Sequence, residues 1–474
     1  MFGLFNKKTG PVPASKENSL LIGSGVNLDN PTRIQPVYVS EEHRRRGMMV
    51  VGTTGVGKTR LVENFIEHDI MTGKSVICID PKGDQELFAK IYDVARKAKR
   101  VDELQLVSVI YPEHSAVIDP MAYYFMVEEL VGHITAALPP SKEEFFRQLA
   151  TTISTLVITA NKIIADHSGI LPNQNLDHIR MGVRRKSLEE TKNTLVRIGT
   201  KESVRIAEMM EDILCNDPEH FNKVSMSLQT TLMTLSSGNI GKIIGQADSN
   251  RFIRRLEEGK RVILVVHTGA LMVRSASSTL CRLLISMVQG HIGRVYNSVK
   301  QRLDHPLAIH IDEAHNALYE GFESLTAMAG SANVMTTLYV QDIAQLKSAM
   351  KDQELAQIVL NTCNTKIFLR CPDAVTSEYV VKHFGTKSVL SGIYGTNQVT
   401  TREIEEEAVK TYDVLSLQPR EFLMTSYNGR WKGFTSDASL TKLKIIFPSA
   451  PAQRTEHEKA QEEKVQEEEY MGTD

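Results

Sequence analysis

Hydrophobic runs long enough to cross a bilayer are missing from this sequence: none approaches the roughly 20 residues that a span requires. The opening stretch, MFGLFNKKTGPVPASKENS, has no apolar segment of the length a secretion signal needs. Both absences point to a cytoplasmic chain whose membrane contact, where it has any, runs through a partner. Cysteine is scarce and scattered, at positions 78, 215, 281, 363 and 371, with no C-x-x-C pair. That pattern supports neither a zinc site nor a disulfide framework and suits a reducing compartment. Cys78, inside an apolar run, reads as a buried structural thiol. Excess charge of one sign is also lacking, with 55 Lys and Arg against 57 Asp and Glu. A uniformly basic surface is excluded, whereas a local basic patch or pore lining is not. What remains is a soluble globular composition, with 24% charged residues over 474, and length enough for two or three domains.

The chain does contain a series of short apolar runs separated by helical patterns. They are GMMVVG (47–52), KSVICID (74–80), LQLVSVI (104–110), KRVILVVH (260–267), PLAIHID (306–312), VMTTLYV (334–340) and TKIFLR (365–370). Each is bounded by turn residues or charges, as fully buried strands are. The alternation predicts an α/β fold around a parallel sheet. From about 126 to 245 such runs disappear and a 3.6-residue periodicity replaces them, as in SKEEFFRQLATTISTLVITANKIIA. This segment reads as an all-α domain inserted into the α/β domain. The division is therefore a Gly/Pro/Ser-rich segment 1–40 with at most a short strand pair, an α/β part 41–125, the insert 126–245, a second α/β part 246–449, and a tail 450–474. The tail contains EHEKAQEEKVQEEEY, mostly acidic and nearly devoid of core residues, and reads as disordered or singly helical.

The chemistry concentrates in three places. GTTGVGKT matches G-x-x-x-x-G-K-[ST] over Gly52, Thr53, Thr54, Gly55, Val56, Gly57, Lys58 and Thr59, with Arg60 opening the helical pattern. It follows a buried strand and precedes a helix, the context that makes such a loop a phosphate cradle. Its glycines let backbone N–H groups turn inward, and the helix adds its positive end. Lys58 would neutralise the β and γ phosphates of ATP, and the Thr59 hydroxyl would ligate Mg²⁺. These features make the α/β parts a nucleotide-binding domain. PLAIHIDEA then supplies Asp312 to hold the metal, partly through water, and Glu313 to polarise the attacking water. VMTTLYVQ ends in Gln341, which reads either as a γ-phosphate sensor on the strand beside that of Asp312 or as an ordinary strand-end polar residue.

Asp312-Glu313-Ala314-His315 spells DEAH, the label of a helicase class. Those helicases end a second recombinase-like domain with an arginine-rich motif, Q-R-x-G-R, and nothing after Gln341 supplies one. The letters are a coincidence, and His315 reads as a polar residue in the turn after the strand.

VICIDPKGD, about twenty residues beyond the phosphate loop, carries the stronger resemblance. Asp80-Pro81-Lys82-Gly83-Asp84 resembles the coupling proteins of bacterial conjugation, the TraD/TraG type, within the FtsK/HerA group of P-loop ATPases. VIDPMAYY resembles their N-P-L segment, with Asp119 in place of Asn and Met121 in place of Leu around Pro120. EEFFRQLATTI resembles their F-W-x-x-A helix, IHIDEAHNAL their Walker B, LYVQDIAQL their Q-S-x-x-Q-L motif, and NTCNTKIFLRCPDAVTSEYVVKHFG their N-x-x-x-K-I-x-L-R segment. The likeness spans about 40 to 440. It implies a RecA-like P-loop NTPase domain with a mostly parallel central sheet and an inserted all-α domain. It further implies a homohexameric ATPase, peripheral to the inner membrane, that delivers relaxase-bound single-stranded DNA to a type IV secretion channel. The family's nucleotide site falls here on Gly52, Gly57, Lys58, Thr59, Asp312, Glu313 and Gln341.

Two departures accompany it. Such proteins usually begin with two transmembrane helices, absent here. Many also place an arginine between Walker B and the Gln motif that reaches the neighbouring subunit, where this chain has Gly330-Ser331. Arg370 is the replacement candidate, ahead of Arg402 and Arg420. DNA contacts are sought in HIRMGVRRKSLEETKNTLVRIGTK, where Arg180, Arg184, Arg185 and Lys186 either track phosphates or form a solvated face balanced by Glu189 and Glu190. HRRRG (43–47), just before the first strand, reads as a solvated turn ahead of a contact with nucleotide or DNA. Three alternatives stay open: a HerA-like pump on duplex DNA, a VirB-type assembly ATPase, in which D-P-K-G-D is poorly matched, and a nucleotide-gated adaptor that does not translocate.

Overall fold

The structure is a computed structural model, and it describes residues 18–140, 144–172, 174–215, 218–245, 247–350, 352–394 and 399–447. The tail expected at 450–474 lies outside these residues. All seven apolar runs form strands: β3 (Met48–Val51), β4 (Ser75–Asp80), β5 (Leu104–Ser108), β6 (Ile263–His267), β7 (Leu307–Ile311), β8 (Val334–Val340) and β9 (Thr365–Phe368). They pair in parallel in the order β9-β3-β8-β7-β4-β6-β5. Side chains alternate between two apolar layers: Met49, Val51, Ile77 and Ile79 enter one, while Met48, Val50, Val76 and Cys78 enter the other. Both faces of the sheet are therefore covered, as a parallel sheet requires.

Four further strands extend this block: β1 (Leu20–Asn27), β2 (Gln35–Val39), β12 (Glu421–Ser426) and β13 (Gly429–Thr435), in the order β2-β1-β13-β12 with β12 antiparallel to β9. The strand pair anticipated near the N-terminus thus joins the main sheet. A separate hairpin, β10 (Thr386–Tyr394) with β11 (Val399–Glu407), stands outside it.

The helices that matter for the site are α1 (Glu41–Arg44), α2 (Lys58–Met71) and α3 (Gln85–Lys97), which precede or follow the first strands. Between Val127 and Gly245 the described residues are helical with no strand: α4 (Val127–Ala137), α5 (Glu144–Ser168), α6 (Leu176–Gly182), α7 (Arg185–Ile198), α8 (Lys201–Leu214) and α9 (Pro218–Ser236) lead the series. Among the described residues no helix is long and apolar enough to cross a membrane.

This helical region is closed at its base by a short neck. Ile118 bridges Asn250, the Ile118 N–H donates to the Ile243 carbonyl at 2.9 Å, and the Asp119 N–H donates to the Ser249 carbonyl at 2.8 Å. The Asn250 amide returns the bond to the Asp119 carbonyl at 2.9 Å. The Asp119 carboxylate accepts the Met121 N–H at 2.8 Å, but burial, aided by the charge of Asp248, pushes its pKa up to about 6. The native state therefore holds a proton that the unfolded chain, titrating near 4, has already released. Stability falls as pH rises from about 4 to about 6 and stays lower above that. The Asp119→Asn variant keeps the acceptor and removes the charge. It should be more stable than wild type by about 1–3 kcal/mol at pH 7.5, a gain that shrinks towards pH 4. Thermal unfolding at both pH values checks this, and a gain independent of pH would contradict it.

Candidate nucleotide site

Five neighbouring parallel strands deliver their C-terminal ends to one edge of the sheet, the edge where open α/β folds bind ligands. Arg370 lies just past β9, Gly52 to Thr59 follow β3, Gln341 follows β8, Asp312 and Glu313 follow β7, and Asp80 ends β4. Residues far apart in sequence become neighbours because their strands are.

The loop after β3 is moored on three sides. The Gly52 N–H donates to the Val340 carbonyl and the Thr53 N–H to the Arg370 carbonyl, each at 3.1 Å, while the Val56 carbonyl accepts the Arg420 N–H at 2.9 Å. Gly55 and Gly57 take left-handed backbones, with φ of 81° and 101°, which only glycine adopts without strain. Gly57 is also crowded, since a β-carbon there would lie 3.1 Å from Arg420 Cγ. Arg420 itself sits at φ 74° with its guanidinium bonded to the Thr435 carbonyl at 2.9 Å and to Asp437 at 2.7 Å. Thr54 and Thr59 are exposed and Thr53 half-buried, whereas Arg60 turns along its own helix to Glu63 at 2.8 Å.

Lys58 opens α2 and is buried, with no hydrogen-bond partner for Nζ. Burial pulls its pKa down, against the nearby charges of Glu313 and Asp312. Asp312 is tied to β4 through its N–H, which donates to the Ile79 carbonyl at 2.9 Å, while its Oδ1 has no partner. Burial raises the Asp312 carboxyl against the pull of Lys58 and Lys82. Glu313 stands at φ 43°, and its Oε1 accepts the Gln341 amide at 2.7 Å and Lys82 Nζ at 2.6 Å. Burial alone would raise this carboxyl, but the bonds from Lys82 and Gln341 and the charge of Lys58 outweigh it and hold it low. Glu313 Oε2 has no partner. His315 Nδ1 approaches it only to 3.6 Å, and burial lowers that imidazole's pKa.

Lys58 Nζ, Asp312 Oδ1 and Glu313 Oε2 are thus three buried polar atoms without partners at one strand edge, an arrangement costly unless a ligand completes it. A lysine beside two acids fits a polyphosphate with a divalent cation. Among the described residues no cluster of three His, Cys, Asp or Glu side chains could hold a metal alone. A cation here would depend on Thr59, Asp312, phosphate oxygens and water, the manner in which Mg²⁺ usually binds.

The D-P-K-G-D turn has a structural logic that the sequence did not disclose. Asp80 is buried at the end of β4, and its carboxylate accepts the Lys82 N–H at 3.0 Å and the Asp84 N–H at 2.5 Å. Asp84 in turn caps α3. The turn so formed sends Lys82 over the β7 edge to Glu313. Sequence reasoning assigned Lys82 no role, and its only signal was membership of the motif.

The remaining candidates are placed as follows. The Arg370 side chain is exposed while its carbonyl holds Thr53. Arg402 is exposed on β11, and Arg420 is engaged behind its own phosphate loop. Arg180 pairs with Asp177 at 2.8 Å, and Arg185 bonds the Leu214 carbonyl at 2.5 Å and stacks over Phe221. Arg184 and Lys186 are exposed, the latter 4.0 Å from Glu190. HRRRG is solvated only in part: Arg46 is exposed and bonds the Tyr427 hydroxyl at 2.7 Å, but Arg44 is fully buried against Asp69. Gly330 packs on Arg45, whose carbonyl oxygen lies 2.1 Å from where a β-carbon would stand. A side chain at Gly330 would require that backbone to shift, whereas Ser331 beside it is exposed.

Residues 306–419 match the family model described as the TraM recognition site of TraD and TraG. A stretch of 74 residues, 16% of this chain, is 28% identical to the type 4 coupling protein DotL of Legionella pneumophila and spans 10% of that protein. The match therefore reaches only about a tenth of that relative's length. Among solved structures, unbound bacterial conjugative coupling protein TrwBdeltaN70 superposes with a TM-score of 0.64 at 16% identity, covering 86% of this chain and 89% of that one. TrwB in complex with ADP and Mg²⁺ gives 0.62 at 15% identity, covering 90% and 96%. VirB4 of Thermoanaerobacter pseudethanolicus gives 0.53 at 14%, covering 88% and 96%. At these identities the likeness establishes the fold alone, an α/β fold on a large, mostly parallel sheet like that of TrwB.

Gly57→Ala should weaken binding of a fluorescent ATP analogue by roughly tenfold or more, because strain at such a backbone costs about 1–3 kcal/mol. Equilibrium titration checks it, with circular dichroism to show an intact fold. Unchanged affinity would mean that the loop relaxes freely despite Arg420.

Proposed function

We propose that this chain, whose matches to the TraD/TraG recognition segment and to DotL support a place among the type IV coupling proteins, is an ATPase that drives DNA into a type IV secretion channel. One observation carries the ATPase part: three unpartnered buried atoms, Lys58 Nζ, Asp312 Oδ1 and Glu313 Oε2, at a strand edge that also holds a moored phosphate loop. The ADP and Mg²⁺ bound by TrwB support the same choice of ligand.

In this reading the backbone of Gly52 to Thr59 holds the phosphates and Lys58 neutralises β and γ oxygens, with Arg60 flanking the cradle. Mg²⁺, held by Thr59 and, partly through water, by Asp312, would offset phosphate charge. Glu313 orients the attacking water and accepts its proton on Oε2 as the water oxygen bonds to the γ phosphorus and the bond to the bridging oxygen breaks. Gln341, bonded to Glu313, is placed to register loss of the γ phosphate. Arg370 is the proposed guanidinium that reaches a neighbouring subunit in a homohexamer.

The cargo is relaxase-bound single-stranded DNA, and Arg184 and Lys186, with Arg180 and Arg185, are proposed to meet its backbone. The match of residues 306–419 to a TraM recognition site supports a partner among the proteins assembled on the DNA at the origin of transfer. The proposed location is cytoplasmic, peripheral to the inner membrane through the channel's own subunits.

The test is steady-state ATP hydrolysis with single-stranded or duplex DNA added. Single-stranded DNA should stimulate turnover, and Glu313→Gln should lower kcat by about 10²–10⁴-fold while still binding ATP. Stimulation by duplex alone favours the HerA-like pump. Nucleotide binding without turnover, at high protein concentration and with either DNA, favours the adaptor.

A further inference from the structure

We propose that Lys82 sets the carboxylate of Glu313 in its working orientation, a positioning role that rests on the ATPase reading above. A general base needs one oxygen with unspent lone pairs aimed at its water. Glu313 is arranged in that way. Oε1 is occupied twice, by Lys82 Nζ at 2.6 Å and by the Gln341 amide at 2.7 Å, and Oε2 is free. Two donors on a single oxygen fix the carboxylate's rotation and leave the other oxygen for the reaction.

The surroundings are built to deliver Lys82 there. Its own N–H is held by Asp80 Oδ1, and Asp80 Oδ2 holds the Asp84 N–H, so the turn between β4 and α3 is fixed at both ends. The Lys82 side chain is 42% exposed and the Glu313 side chain 5%. The ammonium therefore keeps part of its hydration while one N–H reaches inward, which avoids the cost of burying it outright. Lys82 also stands 3.9 Å from Asp312 Oδ2, too far for a bond. Its direct partner is the base and not the other acid.

A division of labour between two lysines follows. Lys58 Nζ has no partner, although Glu313 and Asp312 are the charges that act on it most strongly. With Lys82 removed, Lys58 is left to face both acids, and an ion pair with Glu313 would draw the carboxylate off Gln341. Lys82 keeps Glu313 satisfied and leaves Lys58 for phosphate.

The experiment compares the full-length wild type, Lys82→Met and Lys82→Arg across ATP concentrations, alongside crystal structures of wild type and Lys82→Met with a non-hydrolysable ATP analogue and Mg²⁺. Lys82→Met should lower kcat by roughly 10- to 100-fold with KM within about twofold, the signature of an interaction used in the transition state. Lys82→Arg should recover most of the rate, which a fold defect would not allow. In the Lys82→Met structure the Glu313 carboxylate should leave Gln341.

Wild-type kcat in Lys82→Met overturns the proposal. So does a raised KM at unchanged kcat, which would make Lys82 a phosphate ligand, and so does a Glu313 that stays in place in the Lys82→Met crystal. If the wild type binds nucleotide without hydrolysing it, the ATPase reading fails by itself. The crystallographic comparison then still decides whether Lys82 holds Glu313.

Discussion

Asp69 has no contact with solvent, yet its bonds tie together the elements that carry the candidate nucleotide site. Arg44 grips it with both terminal nitrogens, at 2.5 and 2.6 Å, and His310 Nε2 meets it at 2.9 Å. The other imidazole nitrogen, Nδ1, meets the Tyr339 hydroxyl at 3.0 Å. Burial would raise the Asp69 carboxyl, but the charge and hydrogen bonds of Arg44, with His310, hold it far below the usual carboxylate range. Burial lowers the His310 pKa against the pull of Asp69; in its neutral form the ring would donate from Nε2 to Asp69 and accept at Nδ1 from the tyrosine hydroxyl. Each member belongs to a different element: Arg44 to α1, Asp69 to α2, His310 to β7 and Tyr339 to β8. Leaving either charge alone in such a place typically costs about 3–5 kcal/mol.

The net stability from such a network is small, since an apolar replacement of a buried ion pair is often as stable, but its bonds join α1, α2, β7 and β8 directly. His310 lies two residues before Asp312, Tyr339 two before Gln341, and Asp69 lies on the helix that begins at Lys58. Directional bonds among them hold α2, β7 and β8 at one relative height. Lys58 opens α2, Asp312 follows β7 and Gln341 follows β8, so all three belong to or border elements this network joins. Apolar packing alone resists sliding less, because its contacts are interchangeable. The strand edge that carries the candidate site is thus tied to a bonded network in the protein's interior, and the glycine loop beside it is moored to Val340, Arg370 and Arg420.

The sheet's parallel core was legible because each strand is short, apolar on both faces and bounded by charge or turn residues. β12 and β13 were not: β12 buries only its centre, Phe422 to Met424, and burial along β13 follows no clean alternation. The hairpin strand β11, VTTREIEEE, reads as a charge run. At the site, the two contiguous motifs singled out in the sequence, Gly52 to Thr59 and the pair Asp312-Glu313, lie at one strand edge, whereas the contact made by Lys82 could not be read even from inside D-P-K-G-D. What joins motifs could not be read either. Lys82 and Glu313 meet only because β4 and β7 are neighbours, and Arg44 was hidden in HRRRG among charges that resemble a solvated turn. The available clue was the opposite of apolar periodicity: a histidine, His310, set between isoleucines in a run that should be dry. A polar residue in such a position has to be answered by a partner, and here the answer was a buried aspartate with a buried arginine behind it.

The four letters at 312–315 follow from local demands of the same kind. Asp312 stands where β7 ends, bonded through its backbone to β4, so its carboxylate faces the phosphate loop. Glu313 takes a left-handed backbone, φ 43°, which turns its side chain back over the edge towards Lys82 and Gln341. That bend directs the next residue into the core, where Ala314 is fully buried and a larger side chain would collide with its packing. His315 then emerges half-buried, with Asn316 Nδ2 3.2 Å from its Nε2. Two acids at the strand edge, a small residue for the turn and a polar residue at its exit thus answer to local packing in this sheet, with no reference to a helicase.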